Sequence, residues 1–227
     1  MKGSTESILA AGVSRRKFLS YAGLASAATL FVASCKRDDD KKDPVPDGTI
    51  NLGSGDAGVM NFAYALEQLE AAFYIKVCSS FYNGVSKLEM SLLTDIRAHE
   101  IAHREFLRNV IGDAAIIPNL EFDFSSVDFT SRSSVLATAS AFEDLGVAAY
   151  NGAAQLISTT DYLIAAGKIA SVEARHAAVL HELLTINSFA DTTNGDGMDP
   201  WKTPDEVLSI ADKYFVNKVS SKNLPKS

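Results

Sequence analysis

Two of the four histidines in the chain follow a glutamate at the same spacing. The segment "EIAH" runs from Glu100 to His103, and "EARH" runs from Glu173 to His176. Residues i and i+3 of a helix lie on the same face, so each segment can present one carboxylate and one imidazole to a metal ion. One such pair is weak evidence, but two pairs among four histidines predict a shared metal site.

Each Glu-x-x-His segment is preceded by a second repeated pattern, a glutamate followed seven residues later by a tyrosine. "LEQLEAAFY" contains Glu67 and Tyr74, and "FEDLGVAAY" contains Glu143 and Tyr150. The two halves of the chain therefore repeat one order: Glu, Tyr, then Glu-x-x-His. A pseudo-twofold helical bundle would bring two glutamates and two Glu-His pairs together at its centre. Carboxylates with imidazoles suit iron or manganese, and four carboxylates offset the charge of two divalent ions.

Some neighbouring residues leave alternatives open. Glu70 competes with Glu67 as a ligand, since it lies nearer the apolar stripe of its segment. Superimposing the two halves places Glu70 opposite Gly146, which favours Glu67. Asp144, whose counterpart is Gln68, is expected to face solvent.

Two further histidines lie near these patterns. His99 precedes His103 by one turn and is expected either to assist the ligands or to pack in the core. His181, next to a glutamate, is expected at the surface.

Four long segments with helical periodicity must position these residues. They cover about residues 59–78, 86–110, 133–158 and 161–187, and the second ends before Gly112. The inward stripes are predicted as Phe62, Leu66, Leu69 and Phe73 in the first segment; Leu92, Ile96, His99, His103, Phe106 and Val110 in the second; and Ile169, Val172, His176, Val179 and Leu183 in the fourth.

The links between the segments predict the topology. The first and second segments are joined by a short link, as are the third and fourth, so each pair forms an antiparallel hairpin. A long link, residues 112–132, can return the chain to the starting end as a crossover. This predicts an all-α four-helix bundle over residues 58–190. Residues 191–227 add a loop and a short helix, with Thr203 as its N-cap, Pro204 at its first position and Glu206 completing a capping box.

The N-terminal residues are predicted to form an export signal followed by a tether. "SRRKFLS" precedes an apolar stretch that ends in "VASC", which predicts a twin-arginine lipoprotein signal over residues 1–34, lipidated at Cys35. An uncleaved anchor helix is the alternative, and either reading places the body outside the cytoplasm in the cell envelope. Residues 35–57 are predicted to be a flexible tether. Cys78 then lacks a disulfide partner and is expected to be a buried small hydrophobe. A net charge of −7 argues against a nucleic-acid partner.

These motifs resemble those of exported bacterial ferritin-like domain proteins over about residues 58–190. The resemblance implies that Glu67 and Glu143 are terminal ligands and that Glu100 and Glu173 bridge two metal ions. It implies one metal ligand each from His103 and His176. Tyr74 and Tyr150 would donate hydrogen bonds to the ligands, with Tyr150 expected to steady Glu143.

Three functional hypotheses follow. The first is a dinuclear centre, of iron or manganese, that oxidises Fe(II) or turns over O₂ or peroxide. The second is a helical interaction module of the envelope, and the third is iron storage in a cage, which fits poorly with a lipid anchor on every chain. A homodimer is compatible with each of the first two.

Overall fold

The computed structural model describes residue 46, residues 48–191, residue 193 and residues 195–226. The expected signal peptide, the lipidated Cys35 and the first part of the tether lie outside these residues and stay predictions. Among the helices in the described part of the chain, none combines the length and the apolar character needed to cross a membrane.

Four long helices form the body of the protein. They are α1 (Gly55–Ser79), α2 (Lys87–Ile111), α3 (Arg132–Ala153), which continues into a 3₁₀ turn (Ala154–Leu156), and α4 (Thr160–Leu184). Helix α1 packs along α2, α3 packs along α4, and the two hairpins meet through α1 and α3. The predicted all-α bundle, two hairpins joined by a long crossover, is therefore confirmed.

Glu89 and Arg132 together link three helix ends at one end of the bundle. The Ser86 side chain accepts a hydrogen bond from the Glu89 N–H, and Glu89 Oε2 accepts one from the Ser86 N–H at 2.8 Å, which starts α2. Glu89 Oε1 also accepts from Arg132 Nε at 2.6 Å, and Arg132 donates to the carbonyl of Leu183. Burial raises the pKa of Glu89, but these hydrogen bonds outweigh it and lower that pKa to about 2.

The residues of α1 are buried on every side from Gly58 to Ala71. The crossover covers one of these sides and is held there by two buried amides. Asn61 donates to the carbonyl of Ala115 at 2.8 Å and accepts from the N–H of Ile117 at 3.1 Å. Gln68 accepts from the N–H of Leu120 at 2.8 Å. These bonds satisfy the backbone of a loop that would otherwise lie unpaired against the core.

The C-terminal residues cover another part of the bundle. Helix α5 (Pro204–Ala211) begins with the predicted capping box and proline, and a 3₁₀ turn (Asp212–Tyr214) follows it. Strand β2 (Val219–Ser220) then pairs in parallel with β1 (Ile50–Asn51). The predicted tether is thus too long at its C-terminal end, because β1 and the first turn of α1 occupy it.

Gly152 allows this C-terminal segment to approach α3 closely. A Cβ atom at Gly152 would lie 1.8 Å from the carbonyl oxygen of Lys202. The N–H of Lys202 donates to the carbonyl of Ala148 at 3.0 Å. Cys78 is free and half-buried, a more open position than the sequence predicted.

The predicted stripes of α2 and α4 are rotated relative to the faces that are buried. Phe106, predicted to point inward, is 43% exposed. The buried residues of α2 are Glu89, Leu93, Ile96, Glu100 and Leu107, and those of α4 are Ala166, Ile169, Glu173, His176, Ala177 and Leu180. The stripes were therefore wrong in part. Ile96, Ile169 and His176 are buried as predicted, but a hydrophobic pattern passes over Glu100 and Glu173 at the middle of each inward face.

Candidate metal centre

Four carboxylates, one from each long helix, meet at the centre of the bundle. Glu67 comes from α1, Glu100 from α2, Glu143 from α3 and Glu173 from α4, and all four are 0% exposed. A glutamate is almost never fully buried unless a partner compensates its charge. The structure also brings His103 and His176 to this cluster, so all six candidate ligands from the sequence lie together.

The six residues form two overlapping groups. Glu67, Glu100, His103 and Glu173 each offer a ligand atom within 4.8 Å of the others, and so do Glu100, Glu143, Glu173 and His176. Glu100 and Glu173 belong to both groups. The two groups of ligand atoms therefore share two carboxylates, an arrangement that fits two adjacent metal positions.

Both imidazoles turn Nδ1 toward the carboxylates. His103 Nδ1 lies 3.0 Å from Glu173 Oε1 and 3.3 Å from Glu100 Oε2. His176 Nδ1 lies 2.9 Å from Glu100 Oε1 and 3.1 Å from Glu143 Oε2. Each histidine therefore faces glutamates of both hairpins, and its Nε2 points away from the carboxylates.

Several carboxylate oxygens of the cluster are buried without a hydrogen bond. Among the described residues, these are Glu67 Oε2, Glu100 Oε1 and both oxygens of Glu173. His103 Nδ1 lies near Glu173 Oε1 and His176 Nδ1 lies near Glu100 Oε1, but a single N–H donates to a single acceptor here. The hydrogen bond of His103 goes to Glu100 Oε2, and that of His176 goes to Glu143. Buried oxygens without partners are costly, and hard oxygens converging with imidazole nitrogens are what iron and manganese bind. The residues present therefore fit a dinuclear metal site.

The electrostatics of the cluster point the same way. Burial, followed by the charges of the other glutamates, raises the pKa of Glu173 well above its usual value. Burial and Glu143 raise the pKa of Glu100 to about 7. Burial lowers the pKa of His103, but its carboxylate neighbours outweigh this and raise it to about 12. Positive charge at this centre is strongly stabilised, which two cations would supply.

Each of the two tyrosines donates a hydrogen bond to a glutamate of the other hairpin. Tyr74 on α1 donates to Glu143 Oε1 on α3 at 2.5 Å, and Tyr150 on α3 donates to Glu67 Oε1 on α1 at 2.5 Å. The expectation that Tyr150 steadies Glu143 is wrong. Seven residues along one helix correspond to about 10.5 Å, so the glutamate of the facing helix is the nearer one. Burial raises the pKa of each tyrosine well above 10, which keeps the phenol protonated as a donor.

Glu70 and Asp144, which the sequence left beside the ligands, take different positions. Glu70 is buried but belongs to neither group of ligand atoms. A Cβ atom at Gly146 would lie 3.0 Å from Glu70 Oε1, so this glycine makes room for Glu70. Asp144 is half-buried, and both its oxygens lie 3.0 Å from His181 Nε2. The adjacent acidic residues of α3 are thus divided, with Glu143 in the cluster and Asp144 outside it.

His99 was expected either to assist the ligands or to pack in the core. It is exposed, so the core alternative is wrong, yet its Nδ1 lies 2.9 Å from Nε2 of His176. The side chain therefore bridges α2 and α4 directly behind a candidate ligand. Its place one turn before His103 was visible in the sequence, but the partner on another helix was not.

Comparison with known proteins agrees with the fold. The family model described as "Ferritin-like domain" matches residues 55–185, more than half of the 227-residue chain. This match spans all four long helices and every residue of the cluster. No curated protein matches the chain.

Proposed function

The chain belongs to the ferritin-like domain family, and we propose that it is a dinuclear non-haem metal protein that binds iron, with manganese as the alternative. The observation that carries this proposal is the sharing of Glu100 and Glu173 between two groups of ligand atoms. Two shared carboxylates are what a pair of adjacent metal ions requires, whereas a single ion has no need of the second group.

Each metal position has its own terminal residues. Glu67 and His103 would hold one ion, Glu143 and His176 would hold the other, and Glu100 and Glu173 would bridge the two. With neutral imidazoles, four carboxylates balance the charge of two divalent cations. Glu70 lies outside both groups of ligand atoms. In the metal-free chain, burial and the neighbouring glutamates raise its pKa well above its usual value.

The chemistry we propose is oxidation of Fe(II) by O₂ or peroxide. Two iron ions, when bound, would supply the electrons for reduction of the oxidant. The chain's own contribution is to hold the terminal carboxylates through Tyr74 and Tyr150 and to leave the bridging ones adaptable. Neither oxygen of Glu173 has a hydrogen bond to the part of the chain that the structure describes, so this carboxylate can change its mode of binding as charge at the centre changes.

Small molecules have one evident side of approach. The hairpins meet through α1 and α3, whereas the histidines lie between α2 and α4. The side chain of His103 is 12% exposed, compared with 0% for the carboxylates it faces. We place entry of metal and oxidant at this seam.

The proposal is tested by anaerobic titration of the full chain with Fe(II), followed by elemental analysis and by the rate of Fe(II) loss on exposure to O₂. We expect two ions per chain. Glu143→Ala should weaken or abolish one of them and slow the oxidation. Asp144→Ala is the matched control, because it removes the adjacent carboxylate outside the cluster and should leave both ions in place. A wild-type chain that binds no metal, or equal effects of the two substitutions, would refute the proposal and favour an interaction module.

We also propose that the protein is exported and anchored in the cell envelope by lipid at Cys35. Support comes from the sequence of residues 14–35 alone. Expression of the full chain in a bacterium with an intact twin-arginine pathway should place it in the membrane fraction. Cys35→Ser should release it from the membrane, and replacement of both Arg15 and Arg16 by Lys should block its export. Unchanged fractionation of these variants would contradict the proposal.

A further inference from the structure

His99 and His176 make a hydrogen bond whose geometry is close to ideal. The two ring centres are 5.2 Å apart and the ring planes differ by 8°. With Nδ1 of His99 and Nε2 of His176 at 2.9 Å, this separation is reached only when both nitrogens lie on the line between the ring centres. The rings are therefore edge to edge and coplanar, so the hydrogen bond is linear.

The orientation of His176 determines which ring donates. Its Nδ1 faces Glu100 and Glu143, so a metal ion held by these carboxylates would bind Nδ1. A neutral imidazole bound at Nδ1 carries its proton on Nε2. Nε2 then donates, and Nδ1 of His99 accepts.

In the part of the chain that the structure describes, His103 lacks the hydrogen bond that His176 makes with its outer nitrogen. Among the described residues, no hydrogen bond reaches Nε2 of His103. His99 lies four residues before His103, and the residue four before His176 is Val172. The pseudo-twofold axis that exchanges α2 and α4 therefore exchanges His99 with a valine, which has no acceptor. The two metal positions match in their ligands but differ in the support behind their histidines.

We infer that His99 is a positioning residue that orients His176 for one of the two metal ions and makes the two positions unequal in affinity. This inference rests on the proposed dinuclear function. A partner on the outer nitrogen of a ligating histidine holds the ring orientation and its tautomer, and its loss costs about 10–100-fold in metal affinity. The position formed by Glu143 and His176 gains this support, and the position formed by Glu67 and His103 does not.

The test uses anaerobic Co(II) titration of the full chain, followed by the visible absorption of the bound ion. Wild type is expected to bind two ions in unequal steps. His99→Ala should weaken one step by about 10–100-fold, leave the other unchanged and alter the visible spectrum of the weakened site. His99→Asn should restore the affinity, because its Oδ1 takes the place of Nδ1 as an acceptor. His181→Ala is the matched control, since it removes another imidazole bonded across helices, but bonded to Asp144 outside the cluster.

The outcomes separate this inference from the function on which it rests. A wild-type chain that binds no ions refutes the dinuclear function itself. A wild-type chain that binds two ions while His99→Ala changes neither step, or changes both equally, refutes only the role of His99. Three other outcomes would also refute that role. In the first, His99→Asn fails to restore the metal affinity; in the second, His181→Ala loses as much affinity as His99→Ala. In the third, a lower thermal midpoint of metal-free His99→Ala accounts for its loss of metal affinity.

Discussion

Removal of the Tyr150 hydroxyl tests directly whether each tyrosine donates to the glutamate of the other hairpin, as Tyr150 does to Glu67. In Tyr150→Phe, Glu67 loses its one hydrogen bond among the described residues, and its Oε2 is already without one. A buried hydrogen bond to a charged group contributes about 1.5–3 kcal/mol, and the completeness of the burial places this one near the upper end. We expect the free energy of unfolding of the metal-free chain to fall by about 2–3 kcal/mol. The thermal midpoint should fall by about 5–10 °C for a domain of this size.

A double-mutant cycle identifies the partner. Urea unfolding of Tyr150→Phe, Glu67→Met and the double variant should give a coupling energy of about 1–2 kcal/mol. Methionine approximates the shape of glutamate and removes the carboxylate acceptor. The matched control cycle pairs Tyr150→Phe with Glu143→Met and should give a coupling smaller by about 1 kcal/mol. A larger coupling to Glu143 than to Glu67 would show that the tyrosine acts on its own helix, and the crossed geometry would be wrong.

Two further predictions concern pH and the glycines of the helices. Because the folded pKa values of Glu100 (about 7) and His103 (about 12) lie above their unfolded values, the metal-free folded chain binds more protons than the unfolded chain. Its stability, measured by urea unfolding, should therefore fall as pH rises from 5.5 to 8.5. Bound metal should remove this trend, because the ligands are then deprotonated. A metal-free chain that gains stability over this range would contradict these pKa shifts. Gly152→Ala should destabilise the chain by about 1–3 kcal/mol, because its Cβ would overlap the Lys202 carbonyl. Gly167→Ala should instead stabilise the chain by up to about 1 kcal/mol, since a Cβ there meets open space in a helix. Equal effects of the two substitutions in thermal unfolding would refute the close approach at Gly152.

The helices and their connections were predictable because each depends on short-range patterns. Capping residues such as Thr203 and Glu206, together with link lengths, act within a few residues of the chain, and the structure agrees with them. The inward faces of α2 and α4 were predicted less well. Glu100 and Glu173 are ionisable residues, so a hydrophobic pattern passes over them although both are 0% exposed.

The type of bundle and the repeated set of six candidate ligands could be predicted from the sequence, because spacing along a helix decides which side chains share a face. The contacts between side chains of different helices could not be predicted and depend on the folded structure. It paired Tyr74 with Glu143 and Tyr150 with Glu67, placed His99 behind His176, and buried α1 under the crossover through Asn61 and Gln68. These contacts join residues 52 to 83 positions apart, and at such separations the distance between two side chains depends on how the helices pack rather than on any local periodicity.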